Sequence, residues 1–194
     1  MKIFDNLNEG YKILKESNIA SYKIDCEILM SQTLKISREK VLLNLEKFIK
    51  KEEKDRFFNL VYRRKKNEPI AYIINSKSFW RDKFITNKDA LIPRPDSEHL
   101  VEQTLRLIQR DQAKRILDVG VGSGCLSISI LKERQYCKCD AIDSSKNALK
   151  LAKINANLHQ LLDRIKFYKR DVDNFYNDKY DLVISNPPYI KKHK

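Results

Sequence analysis

Glycine is scarce in this sequence. There are four in 194 residues, and three of them, Gly120, Gly122 and Gly124, stand within one five-residue window. A chain so poor in glycine keeps its backbone freedom for one place. Long apolar runs are missing too. No stretch approaches the roughly 18 to 20 uninterrupted apolar residues of a membrane helix. The opening MKIFDNLNEGYKIL has an early Lys but no apolar segment after it, so no secretory signal is expected. Cys26, Cys125, Cys137 and Cys139 contain no C-x-x-C pair, and His99, His159 and His193 lie far apart. That pattern excludes a disulfide scaffold and gives no metal-ligand cluster. A reduced cytoplasmic protein without metal or membrane anchor is expected.

Acidic residues are also in deficit, 26 Asp+Glu against 39 Lys+Arg, for a net charge of +13. Such a charge admits a polyanionic partner. The cations are nevertheless spread along the whole chain, and runs such as Arg63-Arg64-Lys65-Lys66 and Lys191-Lys192-His193-Lys194 read as solvated faces or ends. Nucleic acid is therefore open as a partner but not required. A hydrophobic fraction of 42% is enough for a real core.

Residues 1–68 hold one glycine and no proline and read as helices. Ile24, Ile28 and Leu29 mark one stripe, Ser37 can cap a short helix through Val41 and Leu42, and Phe57, Leu60, Val61 and Arg64 mark another. Pro69 ends that pattern. From Ile70 to Ile92 the residues are of β type, with Asn75-Ser76 and Arg81-Asp82 as turns, which predicts a hairpin connector over 69–95. After Pro93-Arg94-Pro95, Asp96 or Ser97 can cap a helix carrying Leu100, Val101, Leu105 and Ile108. From residue 96 onward short apolar strands (116–119, 138–143, 165–168, 181–185) alternate with helices (124–134, 145–157). This β-α-β-α-β-β order predicts an α/β domain with a parallel, doubly wound sheet.

The glycines follow the first of these strands as Asp118-Val119-Gly120-Val121-Gly122-Ser123-Gly124. The loop can turn sharply and let a ligand approach its backbone, although a plain tight turn would use the same residues. Cys125 stands where a dinucleotide fingerprint needs its third glycine, and no G-K-S/T follows for a phosphate loop. Asp143 ends the second strand about twenty residues on, where a carboxylate can accept both hydroxyls of a ribose; its alternative is to cap the next helix. A strand-end acid with G-x-G-x-G and no phosphate signature favours S-adenosylmethionine over NAD. Ser185-Asn186-Pro187-Pro188-Tyr189 follows the apolar strand Leu182-Val183-Ile184. The Asn186 amide and Pro187 carbonyl can accept both hydrogens of a planar NH2 group, and Tyr189 can pack on its flat face. That suits amide or exocyclic amine nitrogens, which are poor nucleophiles until oriented.

With Glu68-Pro69-Ile70-Ala71-Tyr72, Phe79-Trp80 and Leu91-Ile92-Pro93-Arg94-Pro95-Asp96-Ser97-Glu98, these motifs resemble the HemK/PrmC family, the peptide-chain-release-factor glutamine N5-methyltransferases. The resemblance implies a helical N-terminal domain (1–68) that binds the release factor, a β-hairpin connector (69–95), and a Rossmann-like S-adenosylmethionine-dependent methyltransferase domain (96–194). It implies that Gly120, Val121, Gly122, Ser123 and Gly124 hold the methionine part of the cofactor, Asp143 the ribose, and Asp171-Val172 the adenine. Asn186, Pro187, Pro188 and Tyr189 would bind and activate the glutamine of the Gly-Gly-Gln loop of class 1 release factors, with Asn186, Pro187 and Tyr189 as the catalytic set. No dedicated general base is required.

Val121 stands where the family has Thr, and Val172 where it often has a larger residue. The family also continues beyond this motif with a helix and three strands, so a shortened form is expected. Two other readings compete. An adenine-N6 methyltransferase on RNA or DNA would share Asn186 to Tyr189, and an inactive fragment would only bind partners.

Overall fold

The computed structural model describes residues 1–175 and 179–187, and the chain divides into two units, Met1–Ile74 and Asn75–Lys194. The first unit is helical: α1 (Ile3–Glu16), α2 (Tyr22–Leu34), α3 (Arg38–Leu43), α4 (Lys51–Lys65) and α5 (Ile70–Ile73). Ile3, Leu7 and Leu14 recur at helical spacing along α1 and meet Leu29, Met30, Phe57 and Val61 in one apolar core. Gly10 is small because helices approach closely there; a Cβ would lie 3.0 Å from the Phe57 ring and 3.1 Å from the Cys26 sulfur. Arg64, on the same stripe as Phe57 and Val61, reaches Asp25 of α2 at 2.7 Å, so a buried carboxylate is paired rather than stranded. Ser37 caps α3 by accepting from Lys40 N.

The β-type reading of Tyr72-Ile73-Ile74 is corrected here. Ile70–Ile73 is a helical turn with Pro69 at its N-cap, and Ala71 and Ile73 are buried. Proline is tolerated at a helix start because its missing N–H would find no intrahelical partner there, and burial overrides the β preference of isoleucine.

The second unit opens with a hairpin, β1 (Ser76–Phe79) and β2 (Asp82–Ile85), in antiparallel register from Ser76↔Ile85 to Phe79↔Asp82. The turn residues are Trp80-Arg81, one position before the expected pair, with Trp80 in the left-handed region (φ 55°). Phe79 and Phe84 are buried in the same core as Ile116, Ile128 and Ile130, so the hairpin is packed into the second unit. A 3-10 turn (Pro95–Ser97) leads into α6 (Glu98–Leu107). Then come β3 (Arg115–Val119), α7 (Cys125–Glu133), β4 (Lys138–Asp143), α8 (Lys146–Leu158), β5 (Ile165–Lys169) and β6 (Leu182–Ser185).

The four strands are parallel in the order β5-β4-β3-β6. The chain builds outward from β3 through β4 to β5, then returns to lay β6 on the other side of β3. The carboxyl end of β3 is therefore a topological switch point, where α/β sheets open a crevice. The expected Rossmann-like α/β domain with a preceding helical unit is what the structure shows.

Candidate active site

A cleft of ≈ 390 Å³ opens at that switch point. Its walls come from the carboxyl ends of all four strands: Val119 to Ser123 after β3, Ile142 to Ser145 after β4, Arg170 to Val172 after β5, and Asn186-Pro187 after β6. The segment 89–94 and Ser97 close the remaining side.

The glycine loop is built from backbone. Gly120 N and Val121 N both donate to Ile142 O (2.9 and 3.0 Å), and Gly124 N donates to Val121 O (2.8 Å). The two outer glycines answer different needs. Gly120 (φ +74°) would set a Cβ in open space, so only its backbone conformation demands glycine. Gly124 (φ +81°) would in addition set a Cβ 3.0 Å from Ile128 Cδ1, one turn on in α7, and 3.4 Å from Ala152 Cβ of α8. Gly124 is buried behind the loop and does not line the cleft. Gly120, Val121, Gly122 and Ser123 do.

Asp143 ties loop to strand. Its Oδ2 accepts from Gly122 N (3.0 Å) and its Oδ1 from Ser145 N (2.8 Å). The helix cap itself belongs to Ser145, whose hydroxyl accepts from Ala148 N. Each Asp143 oxygen thus keeps a lone pair for a ligand at the cleft wall. Asp171 accepts from Asp173 N (3.2 Å), shaping the 3-10 turn Val172–Asn174, and Val172 stands 54% exposed at the cleft edge. Pro188 and Tyr189 lie outside the described residues.

The electrostatics of the cleft run against those of the chain. Among the described residues that line it, Asp89, Asp143 and Asp171 face Arg94 and Arg170, with no lysine. A net acidic cleft in a chain of +13 suits a cationic or zwitterionic ligand and not a polyphosphate. Beneath it, Asp118 is 1% exposed, and among the described residues neither carboxylate oxygen has a hydrogen-bond partner. Burial pushes its carboxyl up to about 6, with the Asp143 charge adding to the rise; the nearby Ser127 hydroxyl and amide draw it back without completing a hydrogen bond. Among the described residues no group of three or more His, Cys, Asp and Glu could hold a metal ion.

A second cavity of ≈ 510 Å³ adjoins the first, lined by Asp96, His99, Leu100 and Ser185 together with five residues common to both: Leu91, Arg94, Ser97, Asn186 and Pro187. Asn186 is held in this shared wall by Ser97, whose hydroxyl oxygen lies 2.6 Å from Asn186 Nδ2. The helix cap expected of Asp96 or Ser97 is accordingly not made: Ser97 is the N-cap residue of α6, but no side-chain cap bond forms and its hydroxyl turns to Asn186. Ser185 Oγ donates to Val119 O (2.9 Å), fastening the end of β6 to β3.

Sequence reasoning missed a further support. Asn155 of α8 is fully buried; its Oδ1 accepts from Ile85 N (2.8 Å), and its Nδ2 donates to Ile85 O (3.0 Å) and Ser123 O (2.8 Å). It joins strand β2 to the glycine loop. The available signal was a polar residue on the apolar face of α8, between Ala152 and Ala156.

Comparison with known proteins agrees with this geometry. Residues 97–194 match the Methyltransferase small domain model, and residues 5–74 match the PrmC N-terminal domain model. The chain is 38% identical over 195 residues to the release factor glutamine methyltransferase of Clostridium botulinum, covering 99% of this chain and 69% of that protein. It is 37% identical to the one of Buchnera aphidicola (95% of this chain, 67% of the relative) and 35% identical to the one of Aquifex aeolicus (99% and 69%).

Proposed function

This chain belongs to the release factor glutamine methyltransferase family, and we propose that it transfers a methyl group from S-adenosylmethionine to the side-chain amide of the Gly-Gly-Gln glutamine in class 1 release factors. One observation carries the reading: the cleft and the second cavity share Asn186 and Pro187 as a common wall. A donor in one and an acceptor in the other would meet at that wall.

The cleft fits the cofactor. Gly120 and Gly122 leave room for the methionine part against the loop backbone, and Asp143 keeps free lone pairs for the ribose hydroxyls. Asp171 and Val172 flank the position of the adenine, and the acidic lining matches a ligand carrying ammonium and sulfonium charge. When bound, S-adenosylmethionine supplies an electrophilic methyl group. The protein's part is to prepare the nitrogen. Asn186 Oδ1 and the Pro187 carbonyl accept the two hydrogens of the glutamine NH2, and Pro188 and Tyr189 are assigned to the same amide on the sequence motif alone. Held so, the nitrogen lone pair is turned out of amide conjugation and toward the methyl carbon. As the new N–C bond formed, the methyl–sulfur bond would break with its electron pair left on sulfur as a neutral thioether, and the nitrogen would give its surplus proton to water, so no general base is needed.

The helical unit is assigned to release-factor binding and the chain to the cytoplasm, where its substrate works. Among the described residues no helix is long and apolar enough to cross a membrane. The test is a parallel assay with labelled S-adenosylmethionine on a bacterial class 1 release factor, on that factor with its Gly-Gly-Gln glutamine changed to alanine, and on RNA and duplex DNA. Label is expected on the first alone. Label on nucleic acid instead would transfer the assignment to adenine N6.

A further inference from the structure

We infer that Ser97 is a positioning residue for methyl transfer: its hydroxyl oxygen accepts the Nδ2–H of Asn186 and so keeps Asn186 Oδ1 turned toward the acceptor amide. The inference rests on assigning the substrate glutamine to Asn186.

A carboxamide has two ends of opposite character, and its terminal torsion is broad and nearly two-fold. Only Oδ1 can accept from an incoming NH2. A half-turn of the group would bring Nδ2–H against the N–H of the substrate, donor against donor. Something must choose between the two orientations, and Ser97 Oγ lies 2.6 Å from Nδ2. Among the described residues Oδ1 has no protein donor, so the acceptor end is left for a ligand at the wall common to the two cavities.

Ser97 is a firm anchor. It is 6% exposed, and its own N–H is tied to Arg94 O (3.0 Å) in the turn Pro95–Ser97, where Pro93 and Pro95 restrict the backbone. Glu98, next in the chain, accepts from Trp80 N (2.8 Å) and so fastens the segment to the hairpin, and Val101 of α6 is fully buried. This placement also accounts for a serine that begins a helix yet makes no cap.

Two measurements on the full chain test it. The first needs no turnover. With asparagine side chains labelled with heavy nitrogen and the Asn186 signal identified by its loss in Asn186→Ala, one of the two Nδ2 protons should exchange slowly with solvent. That protection should vanish in Ser97→Ala and return in Ser97→Thr. Two freely exchanging protons in the unsubstituted chain would overturn the inference, since the hydroxyl would then be donating to Oδ1.

The second is methylation of the release factor. Ser97→Ala should lower kcat about 10²-fold with KM for the release factor and affinity for S-adenosylmethionine moving less than about threefold, and Ser97→Thr should recover most of the loss. Adding Ser97→Ala to Asn186→Ala should have no further effect, because the two act as one unit. An unchanged kcat in Ser97→Ala beside an inactive Asn186→Ala would remove Ser97 alone; full activity in Asn186→Ala would remove the underlying assignment.

Discussion

The two sides of the cleft are built differently. The glycine loop is set mainly by main-chain hydrogen bonds from Gly120, Val121 and Gly124, and the side chains of Asp143, accepting from Gly122 N, and Asn155, donating to Ser123 O, brace it from outside. The Asn186 wall depends on two side-chain contacts, Asn186 to Ser97 and Ser185 to Val119 O. A loop made of backbone tolerates changes of side chain, so a substitution at Val121 would leave its main-chain bond to Ile142 O in place. A wall made of side chains is sensitive to each of them. The same division suits the proposed roles, since a cofactor is bound by many shared contacts and an acceptor nitrogen is oriented by few.

The largest expected effect separates the two sides directly. Asn186→Ala should reduce methyl transfer about 10³-fold and leave S-adenosylmethionine affinity, read by calorimetry, within about twofold. Asp143→Ala should weaken that affinity about 10²-fold, through loss of charge-assisted bonds to the ligand and of the acceptor for Gly122 N. Equal losses of binding in both variants would erase the distinction.

Asp118, under the backbone-built side, has an effect of similar size on stability. Its rise from the ordinary 3.8 to about 6 in the folded chain means the folded state holds the proton more tightly than the unfolded state. Stability from this group is present below about pH 4 and lost as pH climbs to about 6, by about 3 kcal/mol in all. Asp118→Asn should abolish that part of the profile and leave the chain at least as stable as the parent at pH 7, measured by urea unfolding across pH. A variant whose decline between pH 4 and 6 matches the parent's would place the titration elsewhere.

The smallest expected effect lies within the glycine loop. Gly124→Ala should destabilise by about 2 kcal/mol, from its left-handed backbone and the contact with Ile128, and Gly120→Ala by about 1 kcal/mol from backbone alone. Thermal unfolding of the two variants ranks them, and a reversed order would mean the Ile128 contact relaxes freely.

Legibility from sequence followed the range of each interaction. Ser37 was readable as a cap because it bonds a backbone N–H three residues on, the same range at which Ser145 caps α8. Gly120 to Gly124 and Asp143 were readable because a strand, a turn and a strand-end acid form a local pattern. Ser97 carried the signature of a cap, but its hydroxyl bonds a residue 89 positions away. Asn155 spans 70 positions to Ile85 and 32 to Ser123, and a polar residue on the apolar face of α8 marks it without naming either partner. Ile70–Ile73 has a strand's composition and forms a helical turn, since side-chain burial outweighs a β propensity worth about 1 kcal/mol or less.

By itself the sequence determined the class of the second unit, its alternating elements, the glycine loop and the motif that ends β6. All of these are set by neighbours within a few residues, through backbone freedom, hydrophobic period and proline. The tertiary structure alone decided that a +13 chain lines its cleft with more acid than base, that Asp118 has no hydrogen-bond partner among the described residues, and that the Ser97 hydroxyl meets Asn186 instead of capping a helix. Charge at a site, burial and hydrogen-bond partnership all depend on which distant segments are brought side by side, and only the closing of the sheet around its switch point does that.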